Sequence, residues 1–232
     1  MTEAIQVGKL TITANQIIPL LAQYQMLPHL IRELTIDEAI KDINCTAEEK
    51  NLAQQQFFRQ HQINSDADLQ TWINRFAVTS EQLEGIITRP LKIEKFKQAN
   101  WASKVENYFV KRKSQLDRVI YSLLRTPNPE IAQELYFRIQ AQETTFAEVA
   151  QQYSQGPEAQ TGGLVGPVEL GSLHPNLAQM LLISKPGQLW HPTKLENWFL
   201  IIRLDKFIPA QLDEAIQGRL LNELFEIWLR EK

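Results

Sequence analysis

Apolar residues recur at helical spacing through the first half of the chain, and at strand spacing only in the second half. Thr13 precedes Ile17, Leu20, Leu21 and Tyr24 and predicts a capped helix with Pro19 as a kink or early-turn position. Pro28 suits the first turn of a helix through Leu30, Leu34, Ala39 and Ile43. Thr46 with Glu49 and Thr79 with Gln82 have the spacing of capping boxes, and Ser65 with Asp68 resembles them. The helix begun at Thr79 is expected to reach Thr88 and to break or bend at Pro90. A long helix then follows through Ile93, Phe96, Trp101, Val105 and Phe109. These aromatics read as core.

Near Arg118 the pattern changes. "RVIYSLLR" is rich in β-branched and aromatic residues and is closed by "TPNP", which predicts a strand and a turn. Helices are expected over "EIAQELYFRIQAQ" and over "FAEVAQQYS", the second capped by Thr144 or Thr145. A glycine-rich loop leads to a short strand around Leu164 to Leu170, then a helix over "HPNLAQMLLI" and a "KPG" turn. "QLWHPTKLE" and "NWFLIIRLDKF" predict a closing antiparallel pair, and the segment after Pro209 a final amphipathic helix through Leu212, Ile216, Leu220, Leu224 and Trp228. The expected fold class is α+β. A helical domain covers 1–117, a small antiparallel sheet flanked by helices covers 118–208, and a last helix over 209–232 packs back on the helical domain.

Composition narrows the function classes. With 24 Lys and Arg against 27 Asp and Glu, the net charge is −3, which argues against a dedicated nucleic-acid binder. No apolar run approaches the roughly 20 residues that span a bilayer. The first residues show no basic segment followed by an apolar stretch, so no export signal is expected. Cys45 is the single cysteine, which excludes an internal disulfide and leads us to expect a reducing, cytoplasmic location. Nucleophile elbows, phosphate loops and metal-ligand spacings are absent from the sequence, and no cofactor or metal is expected. The basic run "KRKSQLDR" suits a solvated helix end.

The stretch "YSQGPEAQTGGLVG", with Gly171 and Pro175 beyond it, the "KPG" turn and "NWFLIIRLDKF", resembles the parvulin domain of peptidyl-prolyl cis-trans isomerases over roughly 118–207. The helical segments on either side look like SurA-type and PrsA-type foldases, and chains of the cyanobacterial style without a leader are the nearest kind. The resemblance implies a rotamase fold that grips a proline ring in an apolar pocket, and a helical part that holds non-native polypeptide. The problem such a fold addresses is kinetic: X-Pro bonds isomerise over tens to hundreds of seconds, behind a barrier of about 18–20 kcal/mol.

Parvulins resemble one another in a histidine pair, a Cys or Asp facing the carbonyl, and an apolar trio. Carried over by position, the first histidine falls on Ser122, the second on Leu200, and the Cys or Asp on Gly156. The acid after the glycine pair falls on Leu164, and the apolar trio on Val165, Leu173 and Leu177. The resemblance therefore implies a substrate-binding set of Ser122, Val165, Leu173, Leu177 and Leu200, with the polar machinery degenerate. Ser122, Tyr121 and Tyr153 remain as donors if they point inward, and His174 and His191 as stand-ins for a lost imidazole. Glu158 reads as a solvated loop acid, and His29 and His61 as surface residues. Two functions stay open: an isomerase acting on proline-containing segments of unfolded polypeptides, or an inactive parvulin-fold holdase or adaptor. A structural partner in a secretion or assembly complex is a third.

Overall fold

The computed structural model describes residues 4–7 and 9–232 of the chain. In order these form strands β1 (Ala4–Val7) and β2 (Leu10–Thr13), then helices α1 (Ala14–Gln23), α2 (Leu27–Ile40), α3 (Ala47–Gln60), α4 (Asp66–Phe76), α5 (Ser80–Trp101) and α6 (Val105–Leu116). After them come β3 (Arg118–Thr126), α7 (Pro129–Gln140), α8 (Phe146–Tyr153), β4 (Leu164–Glu169), α9 (Pro175–Ile183), β5 (Thr193–Leu195), β6 (Trp198–Ile208) and α10 (Glu214–Arg230). The chain divides into two compact units, Met1–Val105 with Gln217–Lys232, and Glu106–Ile216.

The first unit is helical apart from the β1–β2 hairpin, which the sequence pattern does not announce. Its helices begin where side chains satisfy free backbone donors: Glu49 N donates to Thr46 Oγ1 at 3.2 Å while Thr46 N donates to Glu49 Oε2 at 2.7 Å, and Thr79 with Gln82 repeats the exchange. Pro19 and Pro90 both lie inside continuous helices, so of the break or bend expected at Pro90 the break does not occur. A proline there forfeits one backbone hydrogen bond, and side chains around it hold the helix in place. Arg89 reaches Glu33 at 2.7 Å and Asp37 at 2.6 Å on α2, and Lys95 reaches Glu49 on α3 at 2.8 Å. The interruption comes later, as a 3₁₀ turn over Ala102–Lys104 between α5 and α6. The end of α10 lies in this unit: Phe225 and Trp228 join Phe96 and Trp101 in an aromatic cluster, and Arg32 grips Glu226 through two hydrogen bonds of 2.7 and 3.0 Å.

The second unit is built on a four-stranded antiparallel sheet in the order β4-β3-β6-β5. A register shift against β6 falls between Ile120 and Tyr121, and from there Tyr121, Leu123 and Arg125 share one face of β3 while Ser122 and Leu124 share the other. The face toward α9 buries Val119, Tyr121, Leu123, Leu177, Leu181, Leu200, Ile202 and Leu204. The opposite face carries Leu124 and Ile201 against Leu135 and Tyr136 of α7 and Phe146, Val149 and Ala150 of α8. The buried Asp117 ties the ends of this unit: its carboxylate accepts from the Ala210 N–H and from Lys113, each at 2.7 Å, and its carbonyl accepts from the Leu170 N–H at 2.9 Å.

Candidate functional site

Four of the positions singled out from the sequence meet on the α9 face of the sheet. Val165 of β4 pairs across from Tyr121, Leu200 of β6 pairs across from Arg125, and Leu177 enters from α9, with Leu173 just ahead of that helix. Leu177 and Leu200 are buried, whereas Val165 and Leu173 are half-buried and carry the apolar cluster to the surface. A cavity of about 360 Å³ opens beside Leu173, lined also by Ser114, Gln115, Gly171, Pro175 and Leu182. Glycine is required where the loop approaches the sheet. Gly163 has φ +83°, and a Cβ there would lie 2.8 Å from both the Leu123 carbonyl oxygen and the Phe146 ring. Gly166, at φ +117°, similarly packs against the backbone of Val119 and Ile120.

Ser122 is not part of this recess. It lies on the α7–α8 face, where its hydroxyl donates to Asp205 Oδ2 at 2.7 Å and accepts from Arg203 Nη2 at 3.1 Å. Arg203 also donates to Asp205 at 2.7 Å and sits over the Phe146 ring. Strand alternation is the reason: a residue next to Tyr121 and Leu123 must point the other way. The expectation that Ser122 lines the substrate pocket is corrected accordingly.

Gly156 and Glu158 are also placed differently from the sequence reading. Glu158 is not a solvated acid; it is 5% exposed and forms a two-point ion pair with Arg125, Nε to Oε1 at 2.9 Å and Nη2 to Oε2 at 2.7 Å. The Ser154 hydroxyl donates to the same carboxylate. Burial works to raise the Glu158 carboxyl, but the hydrogen bonds from Arg125 and Ser154 outweigh it and hold the group below the usual carboxylate value. Gly156 touches this pair, because a Cβ there would collide with the Glu158 carboxylate and Arg125 Nε. The space a side chain at position 156 would take is thus filled from the side by an ion pair.

Arg125 is the residue the sequence reading passed over. It ends the inward row Tyr121, Leu123, Arg125, lies across from Leu200, and keeps 30% of its side chain exposed. The signal was available in the period of two along "RVIYSLLR". Tyr121, buried in the apolar cluster, lies within electrostatic reach of both members of the pair. Its phenol is raised above the ordinary value, chiefly by burial, with Arg125 pulling it down and Glu158 pushing it up.

The remaining polar candidates are occupied elsewhere. His174 caps α9, its Nδ1 accepting from the Asn176 N–H at 3.3 Å. His191 stacks on Tyr136 at 4.4 Å between ring centroids and hydrogen-bonds its hydroxyl at 3.3 Å. Tyr153 packs beside the α7–α8 core. His61 packs at a tilt against Phe57, and His29 lies 3.9 Å from Glu33. No helix among the described residues is long and apolar enough to cross a membrane.

Comparison with known proteins places this geometry. Residues 125–206 match the family described as Rotamase, PPIC-type PPIASE domain. No curated protein matches the chain by sequence. Among solved structures, the peptidylprolyl isomerase PrsA of Bacillus cereus is similar at 18% identity, over 97% of this chain and 84% of that one, with a TM-score of 0.52. PrsA of Bacillus anthracis matches at 18% identity over 87% and 89%, with a TM-score of 0.46. A SurA-like chaperone of Campylobacter jejuni matches at 18% identity over 100% and 93%, with a TM-score of 0.40. The chain therefore carries, at residues 125–206, a parvulin domain of the PPIC-type rotamase family, within a fold shared with PrsA.

Proposed function

We propose that the protein is a foldase that binds proline-containing segments of unfolded polypeptides and speeds cis-trans isomerisation of their X-Pro bonds. The observation that carries this reading is the meeting of Val165, Leu173, Leu177 and Leu200 on one face of the sheet, half open to solvent. An apolar patch of that make-up suits a prolyl ring, and the absence of a histidine pair there does not remove the means of catalysis. Isomerisation breaks no covalent bond. It needs only contacts that favour the twisted amide over the planar one. On this reading the pocket is formed by these four residues, with Ser122 stabilising the sheet from the opposite face.

A second reading, a holdase without isomerase activity, is favoured by one observation: Ser122, onto which the resemblance carries the first histidine, is engaged on the opposite face by Asp205 and Arg203, and Leu200 is an apolar member of the buried cluster. Exchange between cis and trans forms of a blocked Ala-Pro-Phe peptide, followed by NMR with and without the full chain, separates the two. Acceleration that saturates with peptide supports the foldase. No acceleration at high protein concentration, with suppressed aggregation of an unfolded client, supports the holdase.

A further inference from the structure

We propose that Arg125 is the catalytic residue of this parvulin domain, donating a hydrogen bond from Nη1 to the prolyl nitrogen of the twisted amide, with Glu158 as its positioning residue. The inference deepens the foldase reading and rests on it. Three observations converge on the guanidinium. It lies on the α9 face of β3, across the strand pair from Leu200, which is a member of the apolar cluster. Its Nε and Nη2 edge is fixed by Glu158, and Nη1 has no hydrogen-bond partner among the described residues. Gly156 leaves the space that Arg125 Nε and the Glu158 carboxylate fill.

The chemistry suits a fixed donor. In the planar amide the nitrogen lone pair is delocalised into the carbonyl and is a poor acceptor. As the bond twists, the lone pair returns to nitrogen and accepts a hydrogen bond. A donor held there binds the transition state more strongly than either ground state, and only such a difference raises the rate. The buried carboxylate fixes the guanidinium plane and offsets its charge, so the donor is oriented without drawing acidic peptides into the recess. No proton is transferred.

The test uses the full chain and an uncharged blocked Ala-Pro-Phe peptide, with exchange rates read by NMR. Wild-type kcat should be flat from about pH 6 to 9, because no imidazole takes part. Arg125→Lys retains a charge for Glu158 but has no second planar edge, and it should lower kcat by more than about ten-fold while KM stays within about two-fold. Should lysine fail to support folding, Arg125→Leu with Glu158→Leu replaces the pair by apolar groups and should give the same loss. A kcat within about two-fold of wild type in either folded variant overturns the role of Arg125 and leaves the foldase reading standing. If neither variant folds, an Arg125 guanidinium ¹⁵N signal in the wild type that saturating peptide does not move also overturns it. Absence of any acceleration by the wild type overturns the foldase reading, and this assignment with it.

Discussion

The two faces of the parvulin sheet use the same strands for opposite purposes. Against α7 and α8, Leu124 and Ile201 are sealed under Leu135, Phe146 and Val149, and the polar group Ser122 is tied into a closed arrangement with Arg203 and Asp205. Against α9 the apolar cluster is deep at Leu177 and Leu200 but runs to the surface at Val165 and Leu173, and its polar member, Arg125, keeps one edge unbonded. One face pairs its polar groups with one another; the other leaves apolar side chains half-exposed beside a partly exposed guanidinium. The difference teaches that a polar residue in a functional strand is informative only once its face is known, since a one-residue step reverses its meaning.

Truncations inside the two cores should break the comparison most forcefully. Leu135→Ala and Leu177→Ala each remove a buried side chain and should cost about 2–5 kcal/mol in denaturant unfolding. Only Leu177→Ala should also weaken binding of the Ala-Pro-Phe peptide. Equal loss of binding in both would erase the distinction between the faces.

Glu158→Gln removes a charge-assisted pair and should lower stability by about 1.5–3 kcal/mol, near the lower end because Arg125 is partly exposed. The pH dependence follows from the direction of the shift. The folded carboxyl sits below its unfolded value of about 4.3, so its contribution is fully present above that value and is lost as pH falls through the lower, folded one. Acid unfolding curves of the wild type and Glu158→Gln should converge at low pH. Curves that stay parallel down to the lowest pH would remove the ion pair from the account.

Ser122→Ala should cost about 1.5 kcal/mol, the low end for hydrogen bonds to charged groups, since Arg203 and Asp205 still satisfy each other. Its isomerisation rate should equal that of the wild type; a large fall in kcat would put Ser122 back among the site residues. The smallest effect is a control outside the sheet. Gly85 is exposed in the interior of α5, with no heavy atom within 4 Å of a Cβ built there, so Gly85→Ala should stabilise the helical unit by about 0.5–1 kcal/mol without changing peptide exchange.

Most of the fold was legible because its signals are local. Capping residues at Thr13, Thr46, Ser65, Thr79 and Thr145 mark helix starts that the structure places there, and the strand pattern from Arg118 and the closing strand to Phe207 lie where the alternation predicts. The continuity of α5 through Pro90 was not legible, because a proline weighs against a helix locally, whereas the contacts of Arg89 that dock α5 on α2 reach residues more than fifty positions away. The apolar positions Val165, Leu173, Leu177 and Leu200 are reached only through the resemblance, position by position, and the structure brings them to one face of the sheet. The polar part of the site was not legible. Arg125 and Glu158 are thirty-three residues apart, and neither the burial of the acid nor the constraint at Gly156 leaves a trace in spacing.

The central claim is that the α9 face receives the prolyl ring, and a titration of methyl-labelled protein with the Ala-Pro-Phe peptide tests it most directly. The account predicts saturable shifts at Val165, Leu173, Leu177 and Leu200, with Leu124, Leu135, Val149 and Ile201 unmoved. Shifts confined to that second group, or no shift in the parvulin domain at saturating peptide, would contradict it.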